Sequence, residues 1–148
     1  MPYRYQEGLT FLELIIVLTL IGMLVVLTIN LFTRYQANQM LRLTEEEIKS
    51  TIVEARRNAR VGVNGSKHGI YFDSANGAYT LFSGEDFAHR NVQYDFIHTW
   101  NKGLVTYQGP SEMVFSALKA TTSPVTIQLT DSTGKQRVIN INELGSIQ

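Results

Sequence analysis

GLTFLELIIVLTLIGMLVVLTINLF, residues 8–32, is the stretch whose reading decides the fold. It opens on a glycine and stays apolar as far as Phe32, and the next charge after Glu13 is Arg34. A helix of about 20 apolar residues crosses a bilayer, so this run is long enough to span one. Glu13 breaks the pattern. An acidic side chain inside such a segment costs roughly 2.5–3.5 kcal/mol on insertion scales. A segment that served only as an anchor would carry leucine there. The placement predicts a partner for Glu13 outside its own helix.

The helix is expected to run on past the apolar stretch. Residues 33–60 contain no glycine or proline, and Leu41, Ile48, Ile52, Ala55 and Ala59 fall on one helical face. Glu45, Glu46, Glu47, Lys49, Glu54, Arg56 and Arg57 are assigned to the other sides, with Glu45 and Lys49 as an (i, i+4) pair. Arg56, Arg57 and Arg60 suit the C-terminal end of the helix dipole, and Gly62 supplies the stop. One helix over residues 9–61 would be roughly 80 Å long at 1.5 Å per residue. Its first half is apolar all round. Its second half is amphipathic and needs a domain to lie on.

After Gly62 the pattern turns to strands. Residues 68–73 and 78–82 alternate around Asn76-Gly77, a tight-hairpin signal. Residues 92–100 read as an aromatic-rich strand, and 105–107 and 113–115 as short strands around Gly109-Pro110. Residues 125–130 and 136–141 alternate on either side of a turn at 131–134, and 145–147 read as a short last strand. The fold class predicted is α+β: a long N-terminal helix, membrane-spanning in its first half, packed on one antiparallel β-sheet. Seven aromatics, Tyr71, Phe72, Tyr79, Phe82, Tyr94, Phe96 and Trp100, are assigned to core and sheet-face packing.

The chain has 148 residues, zero formal net charge and no cysteine. That fits one small domain plus an anchor, held together without disulfides, and gives no global field that would draw nucleic acid or anionic lipid. An ordinary signal peptide is disfavoured, because the apolar run is too long, contains Glu13 and lacks a small-residue cleavage site.

Gly8-Leu9-Thr10-Phe11-Leu12-Glu13 followed by an apolar run resembles the N-terminal signature of type IV pilins and type II secretion pseudopilins. The hairpin-rich second region is similar, more loosely, to H-type minor pseudopilins and FimT-type minor pilins. The resemblance implies a leader over residues 1–8, a membrane and filament-core helix over 9–33, and a pilin domain over 34–148 that includes the rest of the helix. It implies cleavage after Gly8 by a prepilin peptidase, N-methylation of Leu9, and a role for Glu13 in filament assembly. The partners implied are other pilins or pseudopilins, the peptidase, an inner-membrane assembly platform and membrane lipid. The place implied is the inner membrane, single-pass, and then a periplasmic or cell-surface filament. The charges flanking the span are close to neutral under the positive-inside rule, so the cytoplasmic leader rests on the resemblance.

No catalytic residues, cofactor or metal are expected. His68, His89 and His98 are too scattered for a zinc motif. Asp73, Glu85 and Asp86 lack the dense oxygen spacing of a calcium loop. No nucleophile elbow or phosphate loop occurs. Lys119, Lys135 and Arg137 offer a small basic patch, so a DNA- or surface-binding subunit is the alternative to a purely structural one. An unrelated single-span protein with a periplasmic enzyme domain is a third reading, and no polar cleft in the pattern supports it.

Overall fold

Thr10 starts the helix. Its hydroxyl accepts a hydrogen bond from the Glu13 amide at 3.3 Å and its carbonyl accepts one from Leu14 at 3.1 Å, so it caps α1 (Phe11–Val61). The computed structural model describes residues 10–148, without the side chains of 27 and 29–31. The expected leader, with Gly8 and Leu9, lies outside the described residues. The chain divides into two compact units, Met1–Gln36 and Ala37–Gln148.

In the first unit every described side chain from Thr10 to Val26 is exposed. The hydroxyls of Thr19 and Thr28 donate to the carbonyls of Ile15 and Leu24, both at 2.7 Å. These back-bonds satisfy the two threonine hydroxyls without water. Among the described residues no helix is long and apolar enough to cross a membrane. The span expected over residues 9–33 is therefore carried by the sequence alone.

In the second unit the predicted helical face holds. Leu41, Ile48, Ile52, Ala55 and Ala59 are buried, with Ala37 added at its start. Gly62 ends α1 in the left-handed region at φ 71°, a conformation glycine adopts without a Cβ penalty. Seven strands follow: β1 His68–Asp73, β2 Ala78–Ser83, β3 Phe96–Thr99, β4 Val105–Gln108, β5 Glu112–Phe115, β6 Val125–Asp131 and β7 Gln136–Ile141. All pairings are antiparallel. The single sheet expected is instead two, ordered β3-β2-β1-β5 and β4-β6-β7. The turn at Gly109-Pro110 sends β4 to β6 and β5 back to β1, and the Tyr107 hydroxyl, donating to the Pro110 carbonyl at 2.6 Å, pins it. Residues 145–147 contribute only a bridge between Ile141 and Ile147.

One core joins the helix face to both sheets: Ile48, Ile52, Ile70, Phe72, Tyr79, Trp100, Phe115, Ile127 and Ile139 belong to a single buried cluster. Two aromatic assignments are corrected. Tyr94 and Phe96 are exposed, at 41% and 64%. The expected strand over 92–100 breaks into a short 3-10 turn at Val92–Tyr94, capped by the Asn91 side chain, and then β3. As an edge strand, β3 reaches past the core.

Gly69 is fixed by close packing. A Cβ there would lie 2.5 Å from the Phe82 ring and 2.7 Å from the Met113 carbonyl. Phe82 is fully buried and cannot swing away. Gly69→Ala is expected to destabilise the unit by about 1–3 kcal/mol, read as a lowered urea midpoint with unchanged m-value. An unchanged midpoint would mean that β1 and β5 can separate locally.

Candidate functional site

Glu13 occupies the third position of α1, exposed, among apolar neighbours. Thr10-Phe11-Leu12-Glu13 is the T-x-x-E spacing of a capping box, a signal available in the sequence that the reading of Glu13 did not use. The forward bond of that box is made, from the Glu13 amide to the Thr10 hydroxyl. The Glu13 carboxylate has no partner among the described residues. The helix N-terminus favours a negative group by about 0.3–1 kcal/mol. That is less than the cost of placing a carboxylate in an apolar medium. Chemically, the arrangement offers one carboxylate in an apolar sleeve, ready for a cation supplied from elsewhere.

The basic patch expected from Lys119, Lys135 and Arg137 does not assemble. Arg137 donates to the Glu45 carboxylate at 2.6 Å, and Lys135 donates to the Asn38 side chain at 2.7 Å. Lys119 sits in a different loop, where the Leu118 amide donates to the Ala59 carbonyl. Asn38 and Ala59 are separated by about 30 Å of helix at 1.5 Å per residue. The cations are spread along the unit, and one of them is consumed by an ion pair.

That pair corrects a second expectation. Glu45 lies off the Leu41–Ala59 face of α1, yet only 6% of it is exposed. The predicted bond with Lys49 is present at 2.6 Å, and Arg137 supplies a second cation at the same distance. The reach of β7 to the helix is a tertiary fact that helical periodicity does not contain. Burial pushes the Glu45 carboxyl up, but the hydrogen bonds from Lys49 and Arg137 outweigh it and hold the group below its ordinary value of 4.5. A lowered folded value means that the stabilisation is full above the unfolded value and is lost as pH falls through the folded one. Glu45→Gln is expected to lower stability by about 2 kcal/mol at pH 7. This is below the 3–5 kcal/mol of a fully buried pair because both cations are partly solvated. The difference from wild type should shrink as pH falls below 4.5. Paired denaturant titrations at pH 7 and at acid pH measure it, and a pH-independent difference would assign the effect to packing.

The remaining polar candidates have local roles. His68 Nε2 lies 3.0 Å from the Val63 carbonyl, His89 Nδ1 pairs with Asp86 at 2.8 Å, and His98 stacks on Tyr79. Asp73 accepts from the Asn76 amide and side chain in the β1–β2 turn, and Glu85 pairs with Lys67. Among the described residues no group of three or more carboxylates or histidines gathers as a metal site.

This architecture is shared with solved structures. A structure of the minor pseudopilin EpsH from the type 2 secretion system of Vibrio cholerae matches with a TM-score of 0.56 at 12% identity, covering 72% of this chain and 93% of that one. A crystal structure of the same pseudopilin matches at 0.56 and 10% identity, over 74% of this chain and 92% of that one. The chain has the pseudopilin fold. No protein-family profile matches it, and no curated protein does. At this identity the likeness is one of backbone architecture, an α-helix on antiparallel strands, and it assigns no residue a role.

Proposed function

We propose that this chain is a minor pilin or pseudopilin: a structural, non-enzymatic subunit of a type II secretion pseudopilus or a type IV pilus. It is inserted in the inner membrane by residues 9–33, cut after Gly8 by a prepilin peptidase, and methylated at Leu9. An assembly platform then draws it into a filament with other pilins or pseudopilins. The observation that carries this reading is the exposed apolar sleeve of α1, with the single carboxylate of Glu13 near its start and no partner for it among the described residues. The pseudopilin fold of the globular unit supports it. A lone soluble domain has no use for such a sleeve. A filament does, because the helix can leave lipid and pack against its neighbours with no net exposure of apolar surface to water.

Mass spectrometry of the mature N-terminus tests the processing step. After co-expression with a prepilin peptidase, the chain is expected to begin at a methylated Leu9, and Gly8→Ala is expected to reduce cleavage. An N-terminus still at Met1 in those cells would remove the pilin reading. The alternative of a DNA-binding subunit loses its main support with the dispersal of Lys119, Lys135 and Arg137.

A further inference from the structure

Strand β3 is an open edge without the usual protection. All four of its residues are exposed, Phe96 at 64% and Ile97 at 69%, and among the described residues it pairs only with β2. Its sequence, Phe96-Ile97-His98-Thr99, has no lysine, proline or bulge of the kind that blunts exposed edges. The Trp100 amide donates to the Gly77 carbonyl at 2.8 Å. Alternation along the antiparallel ladder then turns the backbone groups of His98 and Phe96 toward β2. Those of Ile97 and Thr99 point outward, where no strand among the described residues meets them.

A groove of about 220 Å³ lies beside this edge, lined by Glu47, Ser50, Thr51, Glu54, Tyr79 and His98. His98 is the register partner of Tyr79 and stacks on its ring at 4.9 Å. The groove is therefore on the face of β3 that looks toward α1. Tyr79 is 1% exposed, and among the described residues its hydroxyl makes no hydrogen bond of good geometry, with Thr51 as its polar neighbour. Burial pushes the phenol's pKa up, opposed by a hydrogen-bonding contribution from the Thr51 side chain and reinforced by the Glu47 carboxylate. The Thr51 hydroxyl itself donates to the Glu47 carbonyl. The groove thus holds two carboxylates without ion-pair partners among the described residues, beside a buried phenol that lacks a well-formed hydrogen bond.

We propose that β3 is a docking edge that takes an extended segment of another protein as a fifth strand, with a lysine or arginine of that segment reaching into the Glu47–Glu54 groove beside Tyr79. Main-chain bonds to Ile97 and Thr99 supply the attachment, and the side-chain pockets supply selectivity. A strand laid along β3 places alternate residues on alternate faces. The basic residue falls opposite His98, an apolar one two positions along falls opposite Phe96, and the apolar residue between them covers Ile97. A second copy of this chain is a poor occupant. Its own matching stretch, Arg137-Val138-Ile139 on edge strand β7, has its arginine bound to Glu45 and its isoleucine buried.

The test uses the full chain in detergent micelles and the capped peptide TTKVVTT, with TTEVVTT and a copy of the lysine peptide N-methylated at alternate amides as controls. Amide exchange is followed by NMR. The lysine peptide is expected to slow exchange at Ile97 and Thr99 at least about tenfold, and the glutamate peptide to bind at least about tenfold more weakly. The N-methylated peptide should give no protection. Ile97→Pro removes an outward donor while keeping the β2 ladder, and it should abolish binding with the fold intact. Glu54→Lys should erase or invert the preference between the two charged peptides. The proposal is overturned if the lysine peptide leaves both amides unchanged at up to about 5 mM, or if the two charged peptides bind alike. It is equally overturned if protection rises with protein concentration alone, which would mark a second copy as the occupant.

Discussion

Glu13→Ala is expected to reduce the amount of this subunit in sheared or cross-linked filaments at least about tenfold, while its membrane level and cleavage stay at wild-type values. The reason is a difference between two environments. In the membrane-inserted subunit, removing the carboxylate removes a cost, so insertion does not suffer. In a filament core the surroundings are apolar, and a carboxylate placed there needs a cation. On the proposed processing, cleavage after Gly8 creates a positive amine at Leu9. The Leu9 amine of the neighbouring subunit, already in the filament, would then meet Glu13 as lipid and water leave. Such a pair fixes the axial register of the incoming helix. Glu13→Gln keeps the shape and loses the charge, and it should fail nearly as badly.

The competing account is that Glu13 serves only its own chain, as the third residue of a helix capped by Thr10 or as a partner of its own amine. A cap and dipole role is worth only about 0.3–1 kcal/mol, so alanine there would assemble at close to the wild-type ratio. The ratio of filament to membrane signal separates the two accounts, and a wild-type ratio for Glu13→Ala would rule out pairing as the driver of incorporation.

Ile52→Asp is the change expected to unfold the globular unit. Ile52 is fully buried in the cluster that joins the helix face to both sheets. Aspartate there would lose the apolar contact and bury a charge with no cation assigned to it, about 4 kcal/mol or more. That is a large share of the roughly 5–15 kcal/mol that holds a domain folded. A fragment beginning at Arg34 is expected to fold as a monomer, since the buried face of α1 in the second unit starts at Ala37, and Ile52→Asp should abolish its cooperative thermal melt. Val53→Asp is the control. Val53 is the next residue along the helix, is 56% exposed, and should stay within about 0.5 kcal/mol of wild type. A cooperative, unshifted melt for Ile52→Asp would show that this face of the helix is not the core face.

Where reading from sequence worked, the information was local. The spacing of Leu41, Ile48, Ile52, Ala55 and Ala59 is a property of one helix, and all five are buried. Asn76-Gly77 and Gly134 mark turns through backbone conformation alone, with φ 66° at Gly77 and 87° at Gly134. Where it failed, the deciding partner was distant. Tyr94 and Phe96 look like core aromatics in a linear chain, yet both are exposed: Phe96 lies on β3, the last strand of its sheet, and Tyr94 in the 3-10 turn that precedes it. Nothing within residues 92–100 states that.

The sequence by itself determined the helix, its amphipathic second half, the apolar sleeve with its one acid at Glu13, and most strand positions. Each of these follows from periodicity, hydropathy or turn chemistry over a few neighbouring residues. Only the tertiary structure decided that the strands form two sheets, that Glu45 is buried between Lys49 and Arg137, and that β3 is an unprotected edge beside an acidic groove. Those outcomes depend on which segments meet across the core. Arg137 is 92 residues from Glu45, and no local pattern encodes a contact over that distance.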